Sequence, residues 1–250
     1  MSLPRIFLSR QLASGQITSI SPDQAHHLIT VLRLQPGNHI EVVDATGQLF
    51  LAALVGTDLD AATVRVLEPI TRSQEPTLEV ILVQGLPKAD KMDWLVQKAT
   101  ELGVARIVPL ATEHSVVNYT GNKAVAKVER WQRIAEAAAK QADRLKIPEI
   151  DPIRSLAQLV AEPQFWTGLH LLAWEGSQNP LKKNLQATRP RPEKIVIYIG
   201  PEGSFSHSER EILLAEGASD ISLGPRILRT ETAGLALLSM IMYEYDQLNL

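Results

Sequence analysis

Two short segments of this chain carry more polar chemistry than a turn needs. Residues 223–238 read LGPRILRTETAGLALL, with Gly224-Pro225, Arg226, Arg229, Thr230, Glu231 and Thr232 set directly before an apolar run. A turn needs only the Gly-Pro, and a helix start needs only one threonine, either Thr230 or Thr232, as its cap. On its own, the Arg229 and Glu231 pair reads as a local ion pair at a helix start. The second segment is IVIYIGPEGSFSHSE, where a buried strand over residues 195–199 runs into Gly200-Pro201-Glu202-Gly203. Ser206 and Glu209 then have the spacing of a capping box. On its own this is a tight turn followed by a capped helix. Together the segments read differently. Glycines let backbone amides approach a ligand closely, and ligands of open α/β sheets sit beyond the carboxyl ends of the strands. Two Gly-Pro strand exits in one parallel sheet point to a shared ligand pocket.

Several kinds of pocket are excluded. The chain has no G-x-G-x-x-G, no G-x-x-x-x-G-K-[ST] and no H-E-x-x-H, so the usual dinucleotide, triphosphate and zinc-protease signatures are missing. His26, His27 and His114 lack metal-ligand companions at useful spacing, and no metal is expected. The absence of cysteine rules out disulfides, thiolate metal sites and cysteine nucleophiles.

The elements that must position these exits alternate along the chain. After residue 77 come LEVILVQGL, a helix stripe of Met92, Leu95, Val96, Ala99 and Leu102, the strand ARIVPLAT, and a long helix over residues 123–145. LHLLAWE, IVIYIG and DISLG follow as further short apolar strands. Strands alternating with helices imply a parallel α/β sheet. The last helix, residues 233–246, is apolar nearly all round as far as Tyr243, so it belongs in the core or in a subunit interface. The first 70 residues read differently. IEVVDATGQLFLAALV forms a hairpin around Ala45-Thr46-Gly47, AATVRVLEPI is another strand, and residues 22–34 are helical with Ala25, Leu28, Ile29 and Leu32 on one face. Short strands with Gly-marked turns suggest a small barrel. The polar, proline-containing residues 71–77 separate the two patterns, and the expected domains are residues 1–72 and 73–250.

At 250 residues with 45% hydrophobic composition, the chain can build two cored domains. It has no apolar run long enough to span a bilayer and no signal-peptide pattern at MSLPRIFLSRQ, so a cytoplasmic protein with no membrane partner is expected. A net charge of −3 means that any nucleic-acid contact must come from a local patch.

IGPEGSFS and LGPRILRTETA together resemble the two C-terminal signature motifs of the SPOUT methyltransferases, and more narrowly the RsmE family. RIFL, HHLITVLRLQPGNHIEVVD, LPKADKMDWLVQKATELGV and IAEAAAKQADR fall where that family's motifs fall, in the same order. The resemblance implies an α/β fold with an N-terminal PUA-like β-barrel, followed by a SPOUT α/β domain with a C-terminal trefoil knot. It implies a homodimer that uses S-adenosylmethionine to methylate the ring imide nitrogen, N3, of one uridine in small-subunit (16S) ribosomal RNA, with the assembled subunit as substrate.

The same resemblance places the cofactor among Leu172, Glu175, Gly200, Pro201, Glu202, Gly203, Leu223, Gly224, Ile227, Leu228, Thr230, Thr232 and Ala233, with residues 171–176 as the third wall. It makes Arg229 the contact for the imide anion or a phosphate, and Glu231 the base. RNA contacts fall on Arg5, Arg10, His26, His27 and Arg33 of the barrel and on Lys88, Lys91, Gln141 and Arg144 beyond it. Ala89 stands where the family has glycine, His114 where it has arginine, and Ala142-Asp143 where it has a small, glycine-containing pair.

Between residues 123 and 146, seven basic side chains face three acidic ones, a patch that could meet phosphates or simply form a solvated helix face. Two other readings stand beside the first. One is a SPOUT ribose methyltransferase acting on another RNA such as tRNA. The other is a catalytically silent RNA-binding ribosome-assembly factor, against which the intact LGPRILRTETA speaks.

Overall fold

The computed structural model describes residues 3–71 and 75–248. The boundary expected between residues 72 and 73 lies outside the described residues. The chain divides into two compact units, Met1–Glu75 with Asp143–Lys146, and Pro76–Ala142 with Ile147–Leu250.

The first unit holds β1 (Arg5–Phe7), β2 (Ile17–Ser19), α1 (Pro22–Ala25) continuing into a π-helix (His26–Val31), β3 (His39–Val43), β4 (Leu49–Gly56) and β5 (Thr63–Ile70). The strands form one mixed sheet in the order β1-β3-β4-β5-β2, with only β1 and β3 parallel. Alternate residues such as Ile40, Val42, Ala52, Leu54, Val64 and Val66 turn inward to one core, as period-2 patterning requires. The β3–β4 turn is held by Asp44, whose carboxylate accepts from the Thr46 and Gln48 amides at 2.8 and 3.0 Å.

The helix over residues 22–34 departs from expectation. From His26 the backbone takes π bonding, with the Leu32 N–H donating to the His27 carbonyl at 3.0 Å. The wider turn carries Leu32 off the apolar face. Ala25 and Leu28 are buried, but Leu32 is 41% exposed. Such π segments recur at functional sites.

The second unit is a parallel α/β sheet. Its elements are β6 (Glu79–Gly85), α2 (Lys91–Glu101), β7 (Arg106–Ala111), α3 (Gly121–Gln141), β8 (Glu149–Ile150), β9 (Arg154–Ser155), α4 (Leu156–Val160), β10 (Leu169–Ala173), α5 (Leu181–Ala187), β11 (Lys194–Ile199), α6 (His207–Ala215), β12 (Ser219–Ile221) and α7 (Thr230–Glu244). Strand order is β12-β10-β11-β6-β7-β8, with β9 also on β7, and every pairing is parallel.

Helices cover both faces, which is why the strands read as continuous apolar runs. Val80 and Leu82 of β6, with Ile195, Ile197 and Ile199 of β11, join the core that contains the buried face of α7. Ile81, Val83, Val196 and Tyr198 point to the opposite core, under α4 and α6. Among the described residues no helix is long and apolar enough to cross a membrane.

The long helix stops at Gln141, short of the expected residue 145. Asp143 takes φ +57°, and the Leu145 and Lys146 amides donate to the Glu75 carboxylate at 2.6 and 3.0 Å. The side-chain acceptor replaces the helical one, and residues 143–146 join the first unit.

Candidate active site

In a parallel sheet all strand exits share one edge. Here the neighbouring strands β12, β10 and β11 deliver Ile221, Ala173 and Ile199 to that edge side by side. The loops that follow enclose a cleft of about 770 Å³. Ala173, Trp174, Glu175, Ser177, Gln178 and Pro180 form one wall, residues 199–202 with Ser204 a second, and residues 222–230 with Ala233 a third, with Lys91 reaching in from α2.

The loops are fixed by close approach and by one hydroxyl. A Cβ on Gly85 would lie 2.6 Å from the ring of Pro201, so the exit of β6 must be glycine for the GPEG loop to cross it. Gly224, at φ +105°, turns the third wall with open space where a side chain would stand. Neither threonine caps α7. Arg229 occupies the N-cap position without a side-chain bond. Thr230, 6% exposed, instead donates its hydroxyl to the Gly200 carbonyl at 2.5 Å and accepts from Gln84 Nε2 at 2.8 Å. The start of α7 is thereby stitched to the exits of β11 and β6.

The capping box before α6 forms as expected. Ser206 Oγ accepts from the Glu209 amide at 3.2 Å, and Glu209 Oε2 accepts from the Ser206 amide at 2.9 Å. The other Glu209 oxygen accepts from the Glu113 amide, tying the strap after β7 to the same loop. His114, next along that strap, lies 2.8 Å from the Gly203 carbonyl through Nδ1. A carbonyl can only accept, so Nδ1 carries the proton. Gly203 is thus backed by His114, whose Cβ would sit 2.9 Å from a Cβ at that position.

The charges are arranged differently from the expected local pair. Glu231 does not face Arg229. It faces Lys91 Nζ at 3.4 Å, and the same ammonium bonds Glu202 at 2.7 Å. Glu202 also accepts from the Lys88 amide at 3.2 Å. Burial pushes the Glu202 carboxyl up, but its bonds to Lys91 and the amides outweigh this and hold it below the ordinary carboxylate value. The Glu202 bond raises Lys91 above the ordinary lysine value. Arg229 is exposed and, among the described residues, makes no ion pair.

Of the expected cofactor residues, Glu175, Gly200, Pro201, Glu202, Leu223, Gly224, Ile227, Leu228, Thr230 and Ala233 line the cleft. Leu172, Gly203 and Thr232 do not. Leu172 points into the core under α6, Gly203 faces His114, and Thr232 is exposed on α7. Trp174 lies in the expected third wall, while Ser177, Gln178, Pro180 and Ser222 line the cleft without having been singled out. An aromatic at the exit of LLAWE was a readable signal for Trp174, which is gripped from behind by the Arg210 guanidinium at 5.3 Å. The loop after it has no periodicity to read.

Two of the expected RNA contacts, Arg5 and Arg144, are buried. Arg5 is 6% exposed, paired with Glu41 through two nitrogens, and donates to the Arg144 carbonyl at 3.0 Å. Arg144 is 5% exposed and paired with Glu75 at 2.8 Å. Both guanidiniums are inside the first unit. Lys91 belongs to the cleft. Arg10, His26, His27 and Arg33 are exposed on the first unit, and Arg10 bonds the Ser19 carbonyl just before α1. Lys88 and Gln141 are exposed on the second. The basic excess of α3 is smaller than its count, because Arg130 pairs with Asp93 and Lys140 with Glu136. Among the described residues no group of three or more His, Asp or Glu side chains could hold a metal ion.

A parallel sheet with a loop-walled cleft at its strand exits defines a nucleotide- or cofactor-using α/β enzyme. Residues 73–242 match the family described as an RNA methyltransferase domain, and residues 20–67 match the RNA methyltransferase PUA domain. The Ribosomal RNA small subunit methyltransferase E of Bacillus subtilis is 32% identical over 96% of this chain and 94% of its own length. That of Synechocystis is 32% identical over 96% of this chain and 77% of its own.

Among solved structures, the Neisseria gonorrhoeae ribosomal RNA small subunit methyltransferase E bound to S-adenosyl methionine aligns over 97% of this chain and 98% of its own. Its TM-score is 0.86 at 28% identity. A Legionella pneumophila structure with bound SAM aligns with TM-score 0.88 at 30% identity, over 98% of each chain. This chain belongs to the ribosomal RNA small subunit methyltransferase E family.

Proposed function

We propose that the chain transfers the methyl group of S-adenosylmethionine to N3 of a uridine in 16S ribosomal RNA. The observation that carries the reading is the cleft itself, in which the exits of three adjacent parallel strands converge and Thr230 ties the start of α7 to the exit of β11. The cleft suits this cofactor. Its volume lies in the range of small-ligand sites. Ile199, Leu223, Ile227, Leu228 and Ala233 offer an apolar wall. The chain has no G-x-x-x-x-G-K-[ST] loop of the kind that cradles a triphosphate.

Bound there, the cofactor supplies an electrophilic methyl group. The protein's residues do the rest. The imide of uracil must lose a proton before it can be methylated, and the resulting anion must be stabilised. Arg229, at the cleft edge without an ion-pair partner among the described residues, can meet that anion or an adjacent phosphate. Glu231, held against Lys91, is the base in this reading. Ring-carbon methylation of pyrimidines usually proceeds through a cysteine adduct, and this chain has no cysteine.

Residues 1–72 serve RNA binding through Arg10, His26, His27 and Arg33, with Lys88 and Gln141 contributing from residues 73–250. The bonds from Thr230 to Gly200 and Gln84 support a knotted passage of the chain around α7. The outer face of α7, where Met240 is 40% and Tyr243 72% exposed, is the proposed homodimer seam. The proposed substrate is the assembled small subunit, in the cytoplasm.

The test is nucleoside analysis of 16S ribosomal RNA from a deletion strain. Loss of 3-methyluridine, restored by the intact gene, supports the reading. Loss of a ribose methyl instead sinks it, and an unchanged profile favours a binding factor.

A further inference from the structure

Lys91 begins α2, Glu202 sits in the loop after β11, and Glu231 is in the first turn of α7. These segments are far apart in sequence, yet one ammonium spans both carboxylates at 2.7 and 3.4 Å. Side-chain exposures of 29%, 26% and 16% place the trio in the partly shielded part of the site. Glu231 Oε2 makes no hydrogen bond. Lys91 and Glu202 line the cleft and Glu231 stands behind them in the first turn of α7, while Glu175, Arg226 and Arg229 line it from exposed positions.

The cluster of two carboxylates and one ammonium carries one unit of negative charge beside the cleft. A wall of that sign attracts a sulfonium cation and is indifferent to the neutral thioether left after methyl transfer. Without Lys91 the two carboxylates would repel each other and the loops that carry them.

We propose that Lys91 is a positioning residue of the cofactor cleft. By bridging Glu202 and Glu231 it ties the GPEG loop to α7 and fixes a wall charge of minus one, which discriminates the sulfonium cofactor from its thioether product. This rests on the proposed function. Removing Lys91 makes the wall more negative and widens the discrimination, and removing either carboxylate abolishes it.

The experiment is calorimetry of full-length wild type, Lys91→Met, Lys91→Arg, Glu202→Gln and Glu231→Gln with S-adenosylmethionine and with S-adenosylhomocysteine. The readout is the ratio of the product Kd to the cofactor Kd. Lys91→Met should raise the ratio by about tenfold, the scale of one unit charge in a partly exposed site. Glu202→Gln and Glu231→Gln should each lower it by a similar factor, and Lys91→Arg should leave it within about twofold of wild type. If Lys91→Met does not fold, the two glutamine variants carry the same test.

An unchanged ratio in all variants, with both ligands bound, overturns the proposal while leaving the function intact. Wild type binding neither ligand overturns the proposed function and this inference with it. A Lys91→Met variant that weakens RNA binding and its salt dependence, with the ligand ratio unmoved, makes Lys91 a phosphate contact and the proposal wrong.

Discussion

The Thr230 hydroxyl and the Gly200 carbonyl, 30 residues apart, meet at 2.5 Å and close the base of the cleft. Thr230→Val keeps the shape but removes the hydroxyl donor from the buried Gly200 carbonyl and one of the two acceptors of Gln84 Nε2. Stability should fall by about 1–3 kcal/mol in urea unfolding, and cofactor affinity should fall with it. Thr230→Ser keeps the hydroxyl and should restore most of both.

Arg229 and Arg33 should separate cleanly. Arg229→Ala removes a charge used only when the base loses its proton, so single-turnover methylation of small subunits should slow roughly a hundredfold. Its RNA affinity should change little. Arg33→Ala should instead weaken RNA binding and reduce its salt dependence, with chemistry at saturating RNA nearly unchanged. If saturating RNA restores the Arg229→Ala rate, that arginine is a phosphate clamp.

Arg5 should behave as a buried ion rather than an RNA ligand. Its side chain is 1% exposed and that of Glu41 9%. Glu41→Leu alone removes the nearer carboxylate, leaving the guanidinium Asp143 at 3.5 Å, and should cost about 3 kcal/mol, whereas the double change Arg5→Leu with Glu41→Leu should cost less. A double-mutant cycle in urea reads the difference. RNA binding by the folded double variant should match wild type.

Ala89 holds φ +55°, the left-handed region where a Cβ is strained. Ala89 is exposed, so little packing would be lost on replacement. Ala89→Gly should therefore raise the thermal midpoint slightly, by the equivalent of about 0.5–1 kcal/mol.

His170 should make stability pH-dependent. It is buried, with Nδ1 2.8 Å from the Tyr198 hydroxyl and Nε2 3.2 Å from the Thr167 carbonyl. Burial, then Lys194 nearby, holds its pKa below the ordinary 6.5 against the opposing pull of the Thr167 carbonyl. The unfolded chain thus takes up the proton first as pH falls. The neutral histidine's contribution is present above pH 6.5 and declines as pH drops through 6.5 toward the lower folded value. Melting curves between roughly pH 7.5 and 5, the window where histidine titrates, should show a shallower pH slope for His170→Gln than for wild type.

Much of the fold is legible because periodicity reports burial. The run IVIYI alternates between two buried faces, and Met92, Leu95, Val96 and Ala99 form the stripe that α2 buries. The Gly-Pro exits locate the cleft because a strand exit needs few residues to specify it. What stayed hidden depends on contacts distant in sequence. Nothing local in RTET says that Thr230 abandons capping for Gly200, that Glu231 faces Lys91 rather than Arg229, or that Glu41 and Glu75 draw Arg5 and Arg144 inward. The π turn at His26–Val31 was hidden for the opposite reason, since its residues fit an ordinary helix and only the wider bonding moves Leu32 outward.

The first unit takes four residues, Asp143–Lys146, from the middle of the chain. Leu145 completes a small apolar cluster with Val43 and Leu49, the Arg144 carbonyl receives Arg5, and Glu75 waits for the Arg144 guanidinium and the Leu145 amide. A nascent chain emerging from the ribosome N-terminus first therefore has its sheet strands β1 to β5 early but lacks these partners until residue 146 has been made. A fragment cut at residue 75 would leave Arg5 without the Arg144 carbonyl and Glu75 without its arginine. The modular look of the N-terminal unit hides a dependence on sequence made seventy residues later, so it is a folding unit of the whole protein rather than a transplantable cassette.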